Sequence, residues 1–134
     1  MNLTPENATD APAAPPADAT PVAPILDHER LDVYRVTLEF AAMVPSLTKS
    51  ARPAMRDQLE RASSSIALTL AEGCGRRSRR DRLHFFSMAH GSAAECAAAL
   101  DVLRALRHVD PADATRAKHK LARIVQMLVG LRRA

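Results

Sequence analysis

The sequence predicts an all-α protein: an antiparallel up-down-up-down four-helix bundle with a disordered N-terminal tail. Four segments carry apolar residues at steps of three and four, which is the spacing of an amphipathic helix, and no segment alternates with the period of a strand. Short connections between these segments favour antiparallel neighbours. A composition with four glycines, no Trp and 3% aromatic residues is untypical of a β-sandwich or barrel.

The N-terminal part of the chain differs in composition from the rest. We predict an Ala/Pro-rich tail over residues 1–25 and the bundle over residues 26–134. Residues 1–24 hold seven alanines, six prolines and three acids, with no Lys or Arg. Such a segment buries too little apolar surface to offset its ordering entropy. Without it the net charge rises from +4 to +7, from 19 bases and 12 acids, so the predicted bundle is the more basic part.

Prolines and glycines bound the first two predicted helices. Helix one runs from about Asp27 to Lys49, and Pro45 is expected to kink or end it locally. Its predicted inward stripe is Leu31, Tyr34, Leu38 and Ala41 or Ala42. Helix two opens at a proline and closes at two glycines. These are Pro53, Gly73 and Gly75, and the inward stripe between them is Met55, Leu59, Ala62, Ile66 and Leu70.

Capping residues mark the starts of the last two predicted helices. Helix three runs from about Arg79 to Arg107, because Ser78 followed by Asp81 resembles a capping box. Its predicted inward face is Leu83, Phe86, Ala89, Ala93, Cys96 or Ala97, Leu100 and Leu103. Helix four has Asp110 as its cap, followed by a proline in its first turn. Its stripe is Ala114, Ala117, Leu121, Ile124, Leu128 and Leu131.

The connection between helices two and three carries the densest charge. Residues 76–82 hold five arginines and one aspartate, a net charge of +4. The arginines are Arg76, Arg77, Arg79, Arg80 and Arg82. A guanidinium presents a planar fork of donors that matches phosphate oxygens, so this connection is a candidate site for nucleic acid. The alternative is a solvated loop whose arginines pair with Asp81, Glu72 and Glu95.

The sequence also limits how such a site would bind. Four aromatic residues are present, and most fall at predicted core positions, so base stacking by aromatic rings is not expected. Binding should therefore depend on phosphate contacts and on salt. A second basic patch near the carboxyl end is better explained as the solvated face of helix four. It comprises Arg116, Lys118, His119, Lys120, Arg123, Arg132 and Arg133.

Small residues stand at several helix-interior positions, among them Ser63–Ser65 and the segment from Ala89 to Ala94. A glycine inside a helix costs about 1 kcal/mol relative to alanine. We therefore expect Gly91 to allow the close approach of another helix or of a second subunit. The serines lack a His–Asp pair at a recognisable spacing, so packing is a better explanation for them than catalysis.

Other function classes find no support in the sequence. His84 and His90 are six residues apart, about 240° around a helix, so they do not converge on a metal. Cys74 and Cys96 form no CxxC pair, and we expect them reduced in a cytoplasmic protein. No stretch of about 20 apolar residues predicts a membrane span. Phosphate-binding glycine motifs are also missing. We expect no enzyme activity, no cofactor and no membrane partner.

One pattern of residues resembles a known family. The pattern is Ser64–Ile66, Ala71–Gly73, Gly75, Arg76, Ser78, Asp81, Phe85, Ala89–Ser92 and Glu95. It is similar to the bacterial four-helix-bundle family of which some members are encoded in intervening sequences of large-subunit ribosomal RNA genes. The resemblance covers about residues 28–132. The chain departs from the family at Thr69, where asparagine is usual, and at Pro45, which interrupts helix one.

The resemblance implies an assembly and a partner. Members of the family form a ring, typically a homopentamer. Distant relatives are the accessory proteins of diversity-generating retroelements, which bind nucleic acid and a reverse transcriptase through a basic surface. The positions that match the family pattern are Glu72, Gly73, Gly75, Arg76, Ser78, Asp81, Phe85, Gly91, Ser92 and Glu95. We therefore expect a homo-oligomer that binds RNA or DNA. The alternative is a protein-interaction scaffold without a nucleic-acid role.

Overall fold

The computed structural model describes residues 23–134, and within that range it contains helices and no β-strand. A 3-10 helix, Asp27–Arg30, comes first. Four α-helices follow: α1 (Asp32–Leu47), α2 (Pro53–Cys74), α3 (Arg79–Ala105) and α4 (Pro111–Arg133). The predicted all-α fold is confirmed. Residues 1–22, which make up most of the predicted tail, lie outside the described residues.

The four α-helices form a bundle in which each helix packs against its neighbours in the chain, and α1 closes the circle against α4. Between residues 23 and 134 the diagonal pairs, α1 with α3 and α2 with α4, do not approach each other closely. The connections span only residues 48–52, 75–78 and 106–110, so successive helices run antiparallel. One end of the bundle therefore contains the start of α1, the α2–α3 connection and the carboxyl end of α4.

The core confirms the predicted faces of α2 and α4 and most of that of α3. The largest fully buried side chains include Phe40, Leu59, Ile66, Leu70, Leu100, Leu103, Leu121, Ile124 and Leu128. These side chains lie at steps of three and four along their helices, which is why one continuous apolar interior forms. Met55, Leu83 and Leu131 are half-buried. Met55 and Leu131 still pack against this core, and Leu83 on α3 is the exception.

The predicted inward stripe of helix one was wrong at Leu38, whereas Leu31 and Tyr34 pack partly buried against the core. Leu38 is 46% exposed and Ala42 is exposed, while Leu31, Tyr34 and Ala41 are half-buried. The buried residues of α1 are Val33, Val36, Thr37, Phe40, Val44 and Leu47. Two apolar stripes compete on this helix, and the one that contains Phe40 is longer and bulkier. It faces inward because it removes more apolar surface from water.

The ends of α1 and α2 follow the prolines and glycines. Pro45 lies inside α1, which ends two residues later at Leu47 rather than at Lys49, as expected for a residue that has no N–H to donate. Pro53 is the first residue of α2. Gly73 near its end allows close packing against α3, since an added Cβ there would lie 2.8 Å from Cε1 of Phe86.

The predicted caps of α3 and α4 are also confirmed. Ser78 Oγ accepts a hydrogen bond from the backbone N–H of Asp81 at 3.1 Å. Asp110 Oδ1 accepts hydrogen bonds from two backbone N–H groups in the first turn of α4. The carboxyl end of α3 is a Schellman motif, in which His108 N donates to Leu103 O at 2.8 Å. That motif needs a left-handed residue, and here it is Arg107, with φ of 59°. Helix α3 therefore ends at Ala105, two residues earlier than predicted.

Candidate nucleic-acid interface

All five arginines of the α2–α3 connection are exposed. Two of them precede α3, and the others lie in its first turn, because Ser78 caps the helix immediately before Arg79. The structure therefore brings the predicted cluster together at one end of the bundle. The five side chains are nevertheless not equivalent, because two of them are held by other groups of the chain.

Arg76 is paired with an acid of the preceding helix, α2. Its Nη2 lies 2.7 Å from Oε1 of Glu72, four residues earlier. Its guanidinium carbon also lies 4.7 Å from the centroid of the Phe85 ring, a distance at which a cation and an aromatic face attract each other. One of the three pairings in the alternative interpretation is thus present. Glu95 instead accepts a hydrogen bond from Gln58 Nε2 at 3.4 Å.

Arg79 connects α3 to α4. Its Nη1 donates to the carbonyl oxygen of Ala134 at 2.5 Å, and its Nη2 donates to that of Arg132 at 3.5 Å. The last carbonyls of a helix have no partner within the helix, and the negative end of the helix dipole attracts a cation. Arg79 therefore serves to fix the carboxyl end of α4 beside the first turn of α3.

Arg77, Arg80 and Arg82 keep their positive charges available. Within residues 23–134 no carboxylate lies within 4.0 Å of any of the three. Arg82 lies close enough to Cys74 to affect its thiol. Burial raises the pKa of Cys74, and the positive charge of Arg82 opposes that rise. Exposed guanidiniums without an acidic partner are the groups that a phosphate chain can use.

The structure adds two arginines that the sequence analysis assigned to another surface. Arg132 and Arg133, at the carboxyl end of α4, line a groove of about 490 Å³ together with Arg80. Arg132 Nη1 lies 3.5 Å from Nδ1 of His90, and neither arginine has a carboxylate within 4.0 Å among the described residues. We call Arg77, Arg80, Arg82, Arg132 and Arg133 the basic end.

The convergence of these arginines could have been found from the sequence. In an up-down-up-down bundle the second connection and the carboxyl end of the fourth helix lie at the same end. The predicted topology therefore places Arg132 and Arg133 beside the α2–α3 connection. They were instead predicted to belong to the second basic patch, with the other cations of the same helix.

The other cations of the predicted second patch are largely paired within the chain. Lys118 Nζ lies 2.6 Å from Asp101 Oδ1, and Lys120 Nζ lies 2.9 Å from Glu39 Oε2. The hydrogen bond from Lys120 holds the pKa of Glu39 below its usual value. Arg116 pairs with Asp113 on α4. These pairs agree with the interpretation of this patch as a solvated helix face.

Several positions that match the family pattern lie at helix ends or between α2 and α3. Gly75 follows the last residue of α2, and Ser78 and Asp81 form the cap of α3. Ser92 Oγ donates to Ser65 Oγ at 2.9 Å across the seam between α2 and α3. Gly91 differs from these, since an added Cβ there would meet no atom of residues 23–134 within 4 Å. Close approach of another of the four described α-helices therefore does not explain Gly91.

Residues 23–134 hold neither a metal-ligand cluster nor a membrane-spanning helix. No three His, Cys, Asp or Glu side chains in this range group closely enough to hold a metal ion. No helix in it combines the length and the apolar character that crossing a membrane requires.

Comparison with known proteins identifies the family. None of the curated proteins matches the chain. A crystal structure from Bacteroides thetaiotaomicron, of a protein with unknown function from the S23 ribosomal protein family, has the same fold, with a TM-score of 0.71 and 21% sequence identity. The match covers 76% of this chain and 99% of that one. The family described as 23S rRNA-intervening sequence protein matches residues 29–130, and this chain therefore belongs to it.

Proposed function

We propose that this chain is a non-enzymatic, homo-oligomeric protein of the cytoplasm that binds nucleic acid without sequence preference through its basic end. The observation that carries the proposal is the convergence of five guanidiniums from two separate segments, with no carboxylate within 4.0 Å among the described residues. Like charges gathered at this density repel one another unless a polyanion neutralises them. A phosphate backbone is such a polyanion, and it carries no sequence information for these side chains to read.

The test is a salt titration of the full chain with a labelled duplex oligonucleotide. Neutralising one phosphate releases counterions, so each contact adds about −0.9 to the slope of log K against log salt. The triple variant Arg77→Gln, Arg80→Gln, Arg82→Gln should reduce the slope by roughly 2 to 3. A matched control, Arg61→Gln, Arg104→Gln, Arg123→Gln, removes the same charge elsewhere and should change the slope less. Absence of binding at low salt, both to this duplex and to a single strand of the same length, would refute the proposed nucleic-acid role.

Self-association is supported by an exposed face of α3 and α2 that carries three large apolar side chains beside Glu95. Met88, Gly91 and Val102 lie at helical spacing on the solvent side of α3, and Met88 and Val102 are each 44% exposed. Leu68 on the adjacent α2 is 69% exposed. An uncovered face of this kind, with an open glycine in it, suits contact with a second subunit. The family resemblance implies a pentameric ring, and light scattering of the purified chain would give the number of subunits.

The same apolar face favours a second candidate function. It could hold a different protein, in which case the chain would be an interaction scaffold with no nucleic-acid role. Affinity capture after nuclease treatment separates the two candidates. A partner protein that stays bound to the nuclease-treated chain, while labelled oligonucleotides do not bind at low salt, would establish the scaffold function.

A further inference from the structure

We propose that the basic end binds single-stranded nucleic acid in preference to duplex. In this arrangement unpaired bases lie on an apolar floor around Leu83 while the surrounding guanidiniums hold the phosphates. The inference rests on the proposed nucleic-acid binding and adds the class of strand. The floor is made by residues of α3 and α4, and none of these apolar residues is needed to explain attraction to phosphate.

Two shallow grooves lie next to each other at the basic end and share Leu83. The first, of about 490 Å³, lies between α3 and α4 and has Leu83 and Val129 among its lining residues. The second, of about 360 Å³, is lined by Leu83, Phe86 and Leu131. Both grooves are rimmed by arginines. The rims are Arg80, Arg132 and Arg133 for the first groove and Arg77, Arg79 and Arg82 for the second.

The floor of the grooves combines the exposed His84 and Ser87 with apolar side chains, most of which the core leaves partly uncovered. Leu83, Val129 and Leu131 are half-buried, whereas Phe86 is 3% exposed. Leu83 was predicted to face the core, but it is half-buried and lines both grooves together with arginines. Apolar surface enclosed by cations favours a ligand that has both a flat apolar face and a negative charge.

The walls of the grooves are held in place before a ligand arrives. Arg79 bonds the carbonyls of Arg132 and Ala134, which fixes the carboxyl end of α4 against the first turn of α3. Outside both grooves, Arg76 stacks over the half-buried ring of Phe85. Guanidinium planes stack on nucleobases as they do on aromatic rings, so base contact here does not depend on exposed aromatic residues.

Duplex cannot use this floor. Its bases are paired and stacked inside, and the surface that it presents to a cationic groove is mainly phosphate and sugar. A single strand exposes the faces of its bases, and base contacts tolerate any sequence because every base has such a face. Charge alone would therefore attract both kinds of strand, whereas the apolar floor adds affinity only for the single strand.

The test compares three labelled probes of equal length at one salt concentration: a mixed-sequence single strand, a duplex, and a strand of abasic sites with the same phosphates. The intact single strand should bind about tenfold tighter than the other two, the gain expected from one well-placed base. Leu83→Gln should remove most of that gain and leave duplex affinity unchanged. Leu106→Gln, which alters an exposed leucine at the other end of the bundle, should change neither.

Each outcome of this experiment decides a separate point. Equal affinities for the intact and abasic strands would overturn the base-contact inference and leave the proposed function standing. Failure of all three probes to bind would overturn both. If Leu83→Gln alters the helical circular dichroism, Val129→Gln tests the same floor from α4. The inference would also be overturned if a folded variant with both Leu83→Gln and Val129→Gln kept the single-strand affinity of the unchanged protein.

Discussion

Gly73 and Gly91 allow the same substitution to be tested in opposite surroundings. Both lie within helices, Gly73 in α2 and Gly91 in α3. An added Cβ at Gly73 would lie 2.8 Å from Cε1 of Phe86 and 3.0 Å from Cβ of Phe85. Real Cβ atoms do not approach a neighbour that closely, and Phe86 is buried, so its ring has little room to move. At Gly91 an added Cβ meets nothing within 4 Å in the described part of the chain.

The expected changes in the free energy of unfolding have opposite signs. Gly91→Ala should stabilise the chain by about 1 kcal/mol, the difference in helix propensity. That corresponds to a rise in Tm of about 4 °C for a domain of this size. Gly73→Ala gains less propensity because it is next to the end of α2, and overpacking costs about 1–3 kcal/mol. We expect a net loss of about 1 kcal/mol or more.

Urea unfolding followed by circular dichroism, at one low protein concentration for all variants, measures both changes. Gly130→Ala serves as a control, since Gly130 also has nothing within 4 Å of an added Cβ. A Gly73→Ala variant as stable as Gly91→Ala would refute the argument from close packing against Phe86. If Gly91 lies in a contact between subunits, Gly91→Ala should also lower the mass measured by light scattering while it stabilises the single chain.

Two further predictions concern the end of α3 and the cysteines. Arg107→Gly should raise the urea midpoint by an amount equivalent to roughly 0.5–1 kcal/mol of unfolding free energy. The reason is that the left-handed φ of 59° at Arg107 strains any residue with a Cβ. An unchanged midpoint would contradict this prediction. Burial raises the pKa of Cys96 from 9.0 to about 12. Iodoacetamide at pH 8.5 should therefore modify Cys96 more slowly than the half-buried Cys74. Equal rates of modification in the folded chain would contradict this prediction. The pKa of Cys96 is higher in the folded chain than in the unfolded chain. The contribution of the neutral Cys96 thiol to the free energy of unfolding is therefore lost as pH rises from about 9 toward 12.

The helix ends were the most predictable part of this fold because local chemistry determines them. Ser78 and Asp110 accept hydrogen bonds from the amides of the following turns, and Pro53 begins α2. These interactions depend on neighbours within a few residues, which a sequence displays directly. The end of α3 was misplaced by two residues because the left-handed position is occupied by Arg107, where a glycine is the usual signal.

The inward face of α1 was less predictable because it depends on what the other helices present. Leu38 and Phe40 both belong to plausible apolar stripes, and periodicity alone does not choose between them. The choice follows from tertiary packing, in which Phe40 becomes fully buried while Leu38 stays 46% exposed. Periodicity is also insufficient for Leu83. Its spacing along α3 fits a core position, but it lies near the end of the bundle, where it is only half-buried.

The candidate site was predictable in its location and less so in its membership. The run of arginines marked the α2–α3 connection, but charge density in a sequence does not show which side chains are already paired. Glu72 neutralises Arg76 at 2.7 Å, and the carbonyls of α4 engage Arg79. Arg132 and Arg133 replace them in the basic end. The number of available charges is therefore similar to the number predicted, although two of the five members differ.

The positions of charge and apolar surface bear on how an assembly would work. The basic end lies at one end of the bundle, whereas Leu68, Met88 and Val102 lie along its side. Side contacts repeated around an axis parallel to the helices would place every basic end on the same face of a ring. A long strand could then contact several copies, and the effective concentration at each successive site would strengthen binding.

A twofold side contact between antiparallel bundles would instead put the basic ends on opposite faces, so a short strand could reach only one. Weak binding by a single copy is therefore compatible with tight binding by the assembly only if the subunits point in the same direction.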